Sequence, residues 1–325
     1  MKHITILATA ESDLGSIENP RRGFLEVNNY QQSQGKPPLF QVQLAGISDE
    51  IRLEHGRYII RPDVEIGQVK KTDLIIIPGF GGDLAQGLAL NQGFIPWIVR
   101  QYQAGAEIAS LCVGAFLLAQ TGLLRGRNCS THWRAAAQFR SMFPDIELVT
   151  DKIITDEHGI YTSGGAFSSA NLILYIIEKY AGRDVAIHCS KIFQIDMDRC
   201  SQSPFIIFQG QKDHEDEPVK KAQEFIENNY QERITVDQLT SLLSLSRRNL
   251  ERRFKKATSN TVIEYIQRVK VEAAKKYFEA SRKNINEVMY DVGYSDTKAF
   301  RTIFKRITGL SPVDYRNRYS MQYRS

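Results

Sequence analysis

Gly293-Tyr294-Ser295-Asp296-Thr297-Lys298-Ala299-Phe300-Arg301-Thr302-Ile303-Phe304-Lys305-Arg306-Ile307 reads as a tight turn followed by an amphipathic helix. Gly293 supplies the left-handed residue that ends a preceding helix, Ile285–Asp291. Ser295-Asp296 supplies an N-cap for a helix over Thr297–Ile307. Phe300, Ile303 and Phe304 then share one face at helical spacing, which leaves Thr297, Lys298, Arg301, Lys305 and Arg306 on the others.

The pattern has a counterpart upstream. Leu250 and Phe254 recur as Phe300 and Phe304 after fifty residues, Lys255 and Thr258 as Lys305 and Thr308, and Tyr265 as Tyr315. Leu239, Leu243 and Ser246 recur after forty-nine as Val288, Val292 and Ser295. In this first copy Val236–Leu242 leads to the turn Leu243-Ser244-Leu245, and Ser246 caps a helix over Arg247–Lys256. Leu250 and Phe254 face inward there, leaving Arg247, Arg248, Glu251, Arg252 and Lys255 free. Two copies at this period describe a duplicated helical unit rather than a solenoid.

Charge divides the 325 residues in the same place. Residues 216–325 hold 22 Lys+Arg against 14 Asp+Glu, a net of +8, while residues 1–215 hold 20 against 23, a net of −3. A basic module joined to a near-neutral one points to a polyanion partner for the former. No apolar run approaches the ~18 residues of a membrane span. Met1–Ala8 is too short and too β-branched for a signal peptide and reads as a first strand. Cysteines at 112, 129, 189 and 200 show no zinc-ribbon or CxxC spacing, so neither a metal nor a cofactor is expected. Scattered thiols suit a reducing cytoplasm.

Upstream of the duplication the chain alternates short apolar strands with helical patterns. Strands are expected at Ile4–Ala8, Phe40–Leu44, Leu74–Ile77, Ile108–Leu111 and Ile160–Ser163, and helices at Phe94–Gln103, Gly114–Thr121 and Ser168–Tyr180. That alternation predicts an α/β, doubly wound parallel sheet of flavodoxin type, followed by an all-α domain with two helix-turn-helix units. The expected division is a domain over 1–200, a polar linker over 201–217, and a second domain over 218–325.

Glu107–Ala115 reads as strand, sharp turn and helix, with Cys112 at a strained elbow and Gly114 allowing close passage of the backbone. Ile75–Gly82 places a glycine loop at a strand end, its amides positioned as an oxyanion-type nest toward Cys112, and His132 follows twenty residues after the cysteine. A pocket at the carboxyl ends of the strands is expected from Ser16, Glu18, Gly79, Gly81, Gly82, Cys112, His132, Gly164 and Gly165. A buried structural thiol is an equally good reading of Cys112, and His132 equally reads as a core histidine.

Ser246–Lys255 resembles the first recognition helix of AraC-type transcriptional regulators. Gly293-Tyr294-Ser295-Asp296, Phe300, Phe304-Lys305 and Thr308–Pro312 with Tyr315-Arg316 resemble the signature around the second. Met1–Tyr180 resembles the PfpI-type branch of the class I glutamine amidotransferase-like superfamily, and the two in series resemble the GlxA-like regulators. The resemblance implies a sequence-specific regulator with two recognition helices about one DNA turn, ~34 Å, apart. It implies base reading by Arg248, Glu251 and Arg252 in one helix and by Thr297, Lys298, Arg301 and Thr302 in the other. Arg247, Lys255, Lys305 and Arg306 are then phosphate contacts, which position rather than specify. The implied partners are double-stranded DNA, a small-molecule effector, a second copy in a homodimer, and RNA polymerase.

The sequence departs from these families in places. Thr240 and Met289 stand where Ala is usual, and Ser244 stands where the first turn usually has Gly. Val113 stands where PfpI-type proteases carry His, and Ser16 where the superfamily places an acid, four residues before Pro20. The last two argue for a sensor with no catalytic residues. The competing reading is a PfpI-type cysteine amidase or hydrolase fused to a DNA-binding module.

Overall fold

The computed structural model describes residues 1–197 and 201–320, so Cys200 lies outside the described residues. The chain forms two compact units, Met1–Gln202 and Ser203–Ser325.

The first unit is built on a seven-stranded sheet. Its strands are β1 (Lys2–Leu7), β2 (Phe40–Gly46), β5 (Val64–Glu65), β6 (Leu74–Ile77), β7 (Glu107–Ser110), β10 (Ile154–Glu157) and β11 (Ile160–Ser163). Their order is β10-β11-β7-β6-β1-β2-β5, and every pairing is parallel except β10 with β11. Two short pairs lie outside it: β3 (Ile51–Leu53) with β4 (Tyr58–Ile60), and β8 (Asn128–Cys129) with β9 (Glu147–Leu148).

The run Leu74-Ile75-Ile76-Ile77 is fully buried because each face of the sheet has its own core. Ile75 and Ile77 join one cluster with Ile108, Phe116 and Phe139, while Leu74 and Ile76 join the other with Ile4, Ile6 and Phe24. Period-two side-chain alternation sends neighbours to opposite layers, which is why the run shows no polar residue. Helices α2 (Leu84–Asn91), α3 (Ile95–Gln103), α4 (Ala115–Gln120) and α5 (Ala136–Met142) supply the first layer, and α1 (Leu14–Ser33), α6 (Ser169–Ala181) and α7 (Arg183–Phe193) the second. No helix among the described residues is long and apolar enough to cross a membrane.

The second unit is helical: α8 (Glu217–Asn228), α9 (Val236–Leu243), α10 (Arg247–Thr258), α11 (Val262–Ala280), α12 (Ile285–Asp291), α13 (Thr297–Thr308) and α14 (Pro312–Tyr319). It has two small cores. Leu239, Leu250, Phe254 and Tyr265 make one, and Val288, Phe300, Phe304 and Tyr315 the other. Helix α11 serves both, giving Val262 and Ile266 to the first and Val271 and Phe278 to the second. From Ser203 the polar stretch expected as a linker belongs to this unit. The Phe208 ring stands edge-on to Tyr265 at 5.1 Å, and Lys275 Nζ donates to the Ile206 carbonyl at 2.6 Å.

Candidate functional site

The two turn-helix elements repeat down to individual hydrogen bonds. Ser244 ends α9 with φ of 51°, and Gly293 follows α12 with φ of 72°. Only the glycine adopts that region without a Cβ penalty. The Ser246 hydroxyl accepts from the Asn249 amide and caps α10, and the Asp296 carboxylate accepts from the Ala299 amide and caps α13. Leu250, Phe254 and Thr258 form the buried stripe of α10, and Phe300, Phe304 and Thr308 that of α13. Each threonine hydroxyl donates to the carbonyl one turn back, Phe254 or Phe304, at 2.8 Å. The phenols of Tyr265 and Tyr315 donate to Glu227 and Glu279 at 2.7 and 2.6 Å.

The opposite faces are polar and open. Arg248, Glu251 and Arg252 on α10, and Lys298, Arg301 and Thr302 on α13, are exposed, while Thr297 is half-buried. The side chains of Arg248, Lys298, Arg301 and Lys305 make no hydrogen bond or ion pair among the described residues. Four other charges are held locally: Arg247 by Glu251 at 3.0 Å, Arg252 by Asn249 at 3.2 Å, Lys255 by the Ser259 carbonyl at 2.9 Å and Arg306 by Gln267 at 2.5 Å. Those contacts stop well short of neutralising the face, because each involves an exposed side chain in water.

In the first unit Cys112 sits at the end of β7 with φ of 53°. Gly114 makes the elbow feasible, since a Cβ there would stand 2.5 Å from the Pro78 carbonyl oxygen. The Cys112 amide donates to Ser163 Oγ at 3.4 Å, and Thr131 Oγ1 donates to the Cys112 carbonyl at 2.9 Å. Burial pushes the thiol up to about 11, the Val113 amide opposes this, and the negative charge of Asp13 adds to the rise. The sulfur thus resides in a setting that favours the neutral thiol.

The expected pocket residues fall into groups. Ser16 Oγ donates to the Gly79 carbonyl at 3.0 Å, and a Cβ on Gly79 would come within 3.1 Å of Cys112 Cβ, so these three converge on the elbow. Gly81 and Gly82 meet residues that the sequence reading passed over: Glu11 and Asp13 at the first, His55 at the second. The Gly81 amide donates to the Glu11 carbonyl at 2.7 Å, which removes it from any nest facing Cys112. Asp13 Oδ1 lies 3.2 Å from where a Gly81 Cβ would stand, and the His55 ring covers Gly82. Burial, reinforced by Glu54, holds the Asp13 carboxyl above its usual range.

Glu18 lies further along α1, bound to Arg21 at 2.6 Å, and that hydrogen bond keeps its carboxyl below the usual range. His132 spends Nδ1 on the Arg134 amide at 3.1 Å, with Nε2 3.5 Å from where a Gly165 Cβ would stand. No hydrogen bond joins it to Cys112 among the described residues. Gly164 and Gly165 border Gln202 instead.

The family comparisons agree with this division. The DJ-1/PfpI family matches residues 38–179, and the family described as "Helix-turn-helix domain" matches residues 239–318. The HTH-type transcriptional regulator GbdR of Pseudomonas aeruginosa is 25% identical over 268 residues, covering 79% of this chain and 69% of its own. The HTH-type transcriptional regulator GlxA of Rhizobium meliloti is 24% identical over 220 residues, covering 67% and 68%. The crystal structure of a putative transcriptional regulator protein from Vibrio parahaemolyticus shares the fold, with a TM-score of 0.53 at 21% identity over 59% of this chain and 98% of that one.

Sheet order, elbow cysteine and duplicated helical pairs define a two-part architecture, a DJ-1/PfpI domain followed by an AraC-type helix-turn-helix domain. In this arrangement the chain is similar to the HTH-type transcriptional regulators GbdR and GlxA.

Proposed function

We propose that this protein is a sequence-specific DNA-binding regulator that reads two major-groove segments with α10 and α13, and that its first unit holds a small metabolite without transforming it. The observation that carries the reading is the exposed polar face on each of two helices whose buried stripes match position for position. A groove ~12 Å wide admits one such helix, and an exposed arginine can bond bidentately to guanine. Arg248, Glu251, Arg252, Thr297, Lys298, Arg301 and Thr302 are the base-reading candidates, and Arg247, Lys255, Lys305 and Arg306 the phosphate contacts. Pairing of two copies would multiply operator affinity through avidity.

Sensing rather than turnover is supported at the elbow. A nucleophilic cysteine needs a base or a stabilised thiolate. Here the thiol is held neutral by burial, and the His132 Nδ1 is committed to a backbone amide.

The test is duplex binding by the full chain across a salt series, with light scattering on the same preparation. Affinity should fall steeply as salt rises, and a dimer should be present at micromolar concentration. Salt-independent binding, or none to any duplex, would reject the DNA-reading assignment. A monomer would reject the pairing.

A further inference from the structure

The last residue of the first unit is buried inside it. Gln202 is 2% exposed, and its carboxamide is held on both sides. Its Nε2 lies 3.0 Å from the Lys152 carbonyl, 3.2 Å from that of Thr131, 3.3 Å from that of Thr150 and 3.3 Å from Ser130 Oγ. Its Oε1 accepts from the Gly165 amide at 2.9 Å. The backbone beside it is bare, since a Cβ on Gly164 would stand 2.1 Å from Gln202 Cδ.

We propose that this cradle is a primary-carboxamide site with Gln202 as its internal ligand, and that a small molecule bearing a primary carboxamide competes for it and frees the end of the first unit. The proposal rests on the reading of that unit as the metabolite-holding one and names the chemical class it takes. The selectivity follows from counting donors and acceptors. A carboxamide offers two N–H groups to the four oxygens and one carbonyl to the Gly165 amide. A carboxylate would set a second anionic oxygen against the four. An ammonium would leave the half-buried Gly165 amide without an acceptor, which is costly. The cradle also shares residues with the elbow, because Thr131 binds both Gln202 and the Cys112 carbonyl. Ser203 begins the second unit, so displacement of Gln202 acts at the residue where the units join.

The experiment uses the full chain with Gln202→Ala, which vacates a space the size of acetamide. Thermal unfolding followed by tryptophan fluorescence reports the first unit, since Trp97 and Trp133 both lie there. The variant should melt lower than wild type. Millimolar acetamide should raise its melting point toward the wild-type value, while acetate and methylammonium should not. Affinity for a duplex selected by the wild type should differ from wild type by about fivefold or more. Acetamide should leave that difference in place, because the free molecule refills the site without tethering the chain. Gln202→Met keeps the length and loses the hydrogen bonds, and should show the same affinity change even if the alanine variant folds poorly. An alanine variant indifferent to acetamide, or equally responsive to acetate, overturns the carboxamide site. Wild-type affinity in both variants overturns the tether. Failure of the wild type itself to bind any duplex strikes the regulator reading instead.

Discussion

Lys270 Nζ occupies the space that a side chain at Gly293 would need: a Cβ there would lie 2.5 Å from the ammonium and 2.2 Å from the Gln231 carbonyl oxygen. Lys270 is 6% exposed and donates to the carbonyls of Val292 at 2.9 Å, Tyr230 at 2.6 Å and Glu232 at 3.0 Å. One buried ammonium on α11 thus ties the turn after α12 to the segment between α8 and α9. Gly293→Ala should therefore destabilise the second unit by more than the ~1–2 kcal/mol of a left-handed alanine alone. Gly35→Ala is the control, since φ is 69° there with nothing within 4 Å of the added carbon. Denaturant midpoints from helical circular dichroism would compare them, and equal losses would contradict the steric account.

Arg252→Ala and Arg301→Ala should each weaken binding to the selected duplex by about 1–3 kcal/mol and relax preference at one base position. Lys255→Ala should lower affinity for all duplexes alike and reduce the salt slope. Competition against single-base variants of the duplex distinguishes the outcomes. A uniform loss in all three would reassign the two arginines to the phosphates.

Asp216 caps α8 by accepting from the Val219 amide at 3.2 Å and grips Arg253 through two contacts of 2.8 and 2.9 Å. The Arg253 guanidinium, followed by the amide, holds its carboxyl below the usual range. A depressed carboxyl stabilises the fold above its unfolded value and loses that contribution as pH falls through the folded one. Asp216→Asn keeps a good cap and removes the charge. The variant should be less stable than wild type at pH ~7, and the gap should narrow below pH ~4. Paired urea titrations at the two pH values would check this, and a constant gap would exclude the ion pair as its source.

With its thiol near 11, Cys112 is ionised to about one part in ten thousand at neutral pH. Iodoacetamide should label it about a hundredfold more slowly than an unperturbed cysteine. The rate should rise about tenfold per pH unit until that value is reached. Peptide mapping after timed labelling gives the rate. Cys112→Ser should leave duplex affinity unchanged, and hydrolysis of amides by the wild type that the substitution abolishes would make the first unit an enzyme.

The duplication was legible because its signals are local. Turn residues, caps and a helical apolar stripe sit within a dozen residues, and the charge of the polar faces needs no tertiary context. The buried strand Leu74–Ile77 was equally plain from its apolar run, and Ile160–Ser163 from its β-favouring residues. Strand β10 was not, since Ile154-Thr155-Asp156-Glu157 lies at the sheet edge and alternates polar residues. Asp13 escaped notice because spacing from Pro20 directs attention to Ser16, whereas the loop folds Asp13 back against Gly81. The Gln202 cradle left still less trace, since three of its four acceptors are backbone carbonyls, which any residue provides.

Because α11 lends one end to each small core, α10 and α13 pack into separate cores on a shared spine. Amide exchange should find α11 the slowest to open, with α10 and α13 exchanging at separate, unequal rates. The same arrangement lets heredity treat the halves as separate words. A change on the outer face of α10 leaves the packing of α13 untouched, so on the proposed reading each part of a binding sequence can drift and be re-read while the other stays fixed.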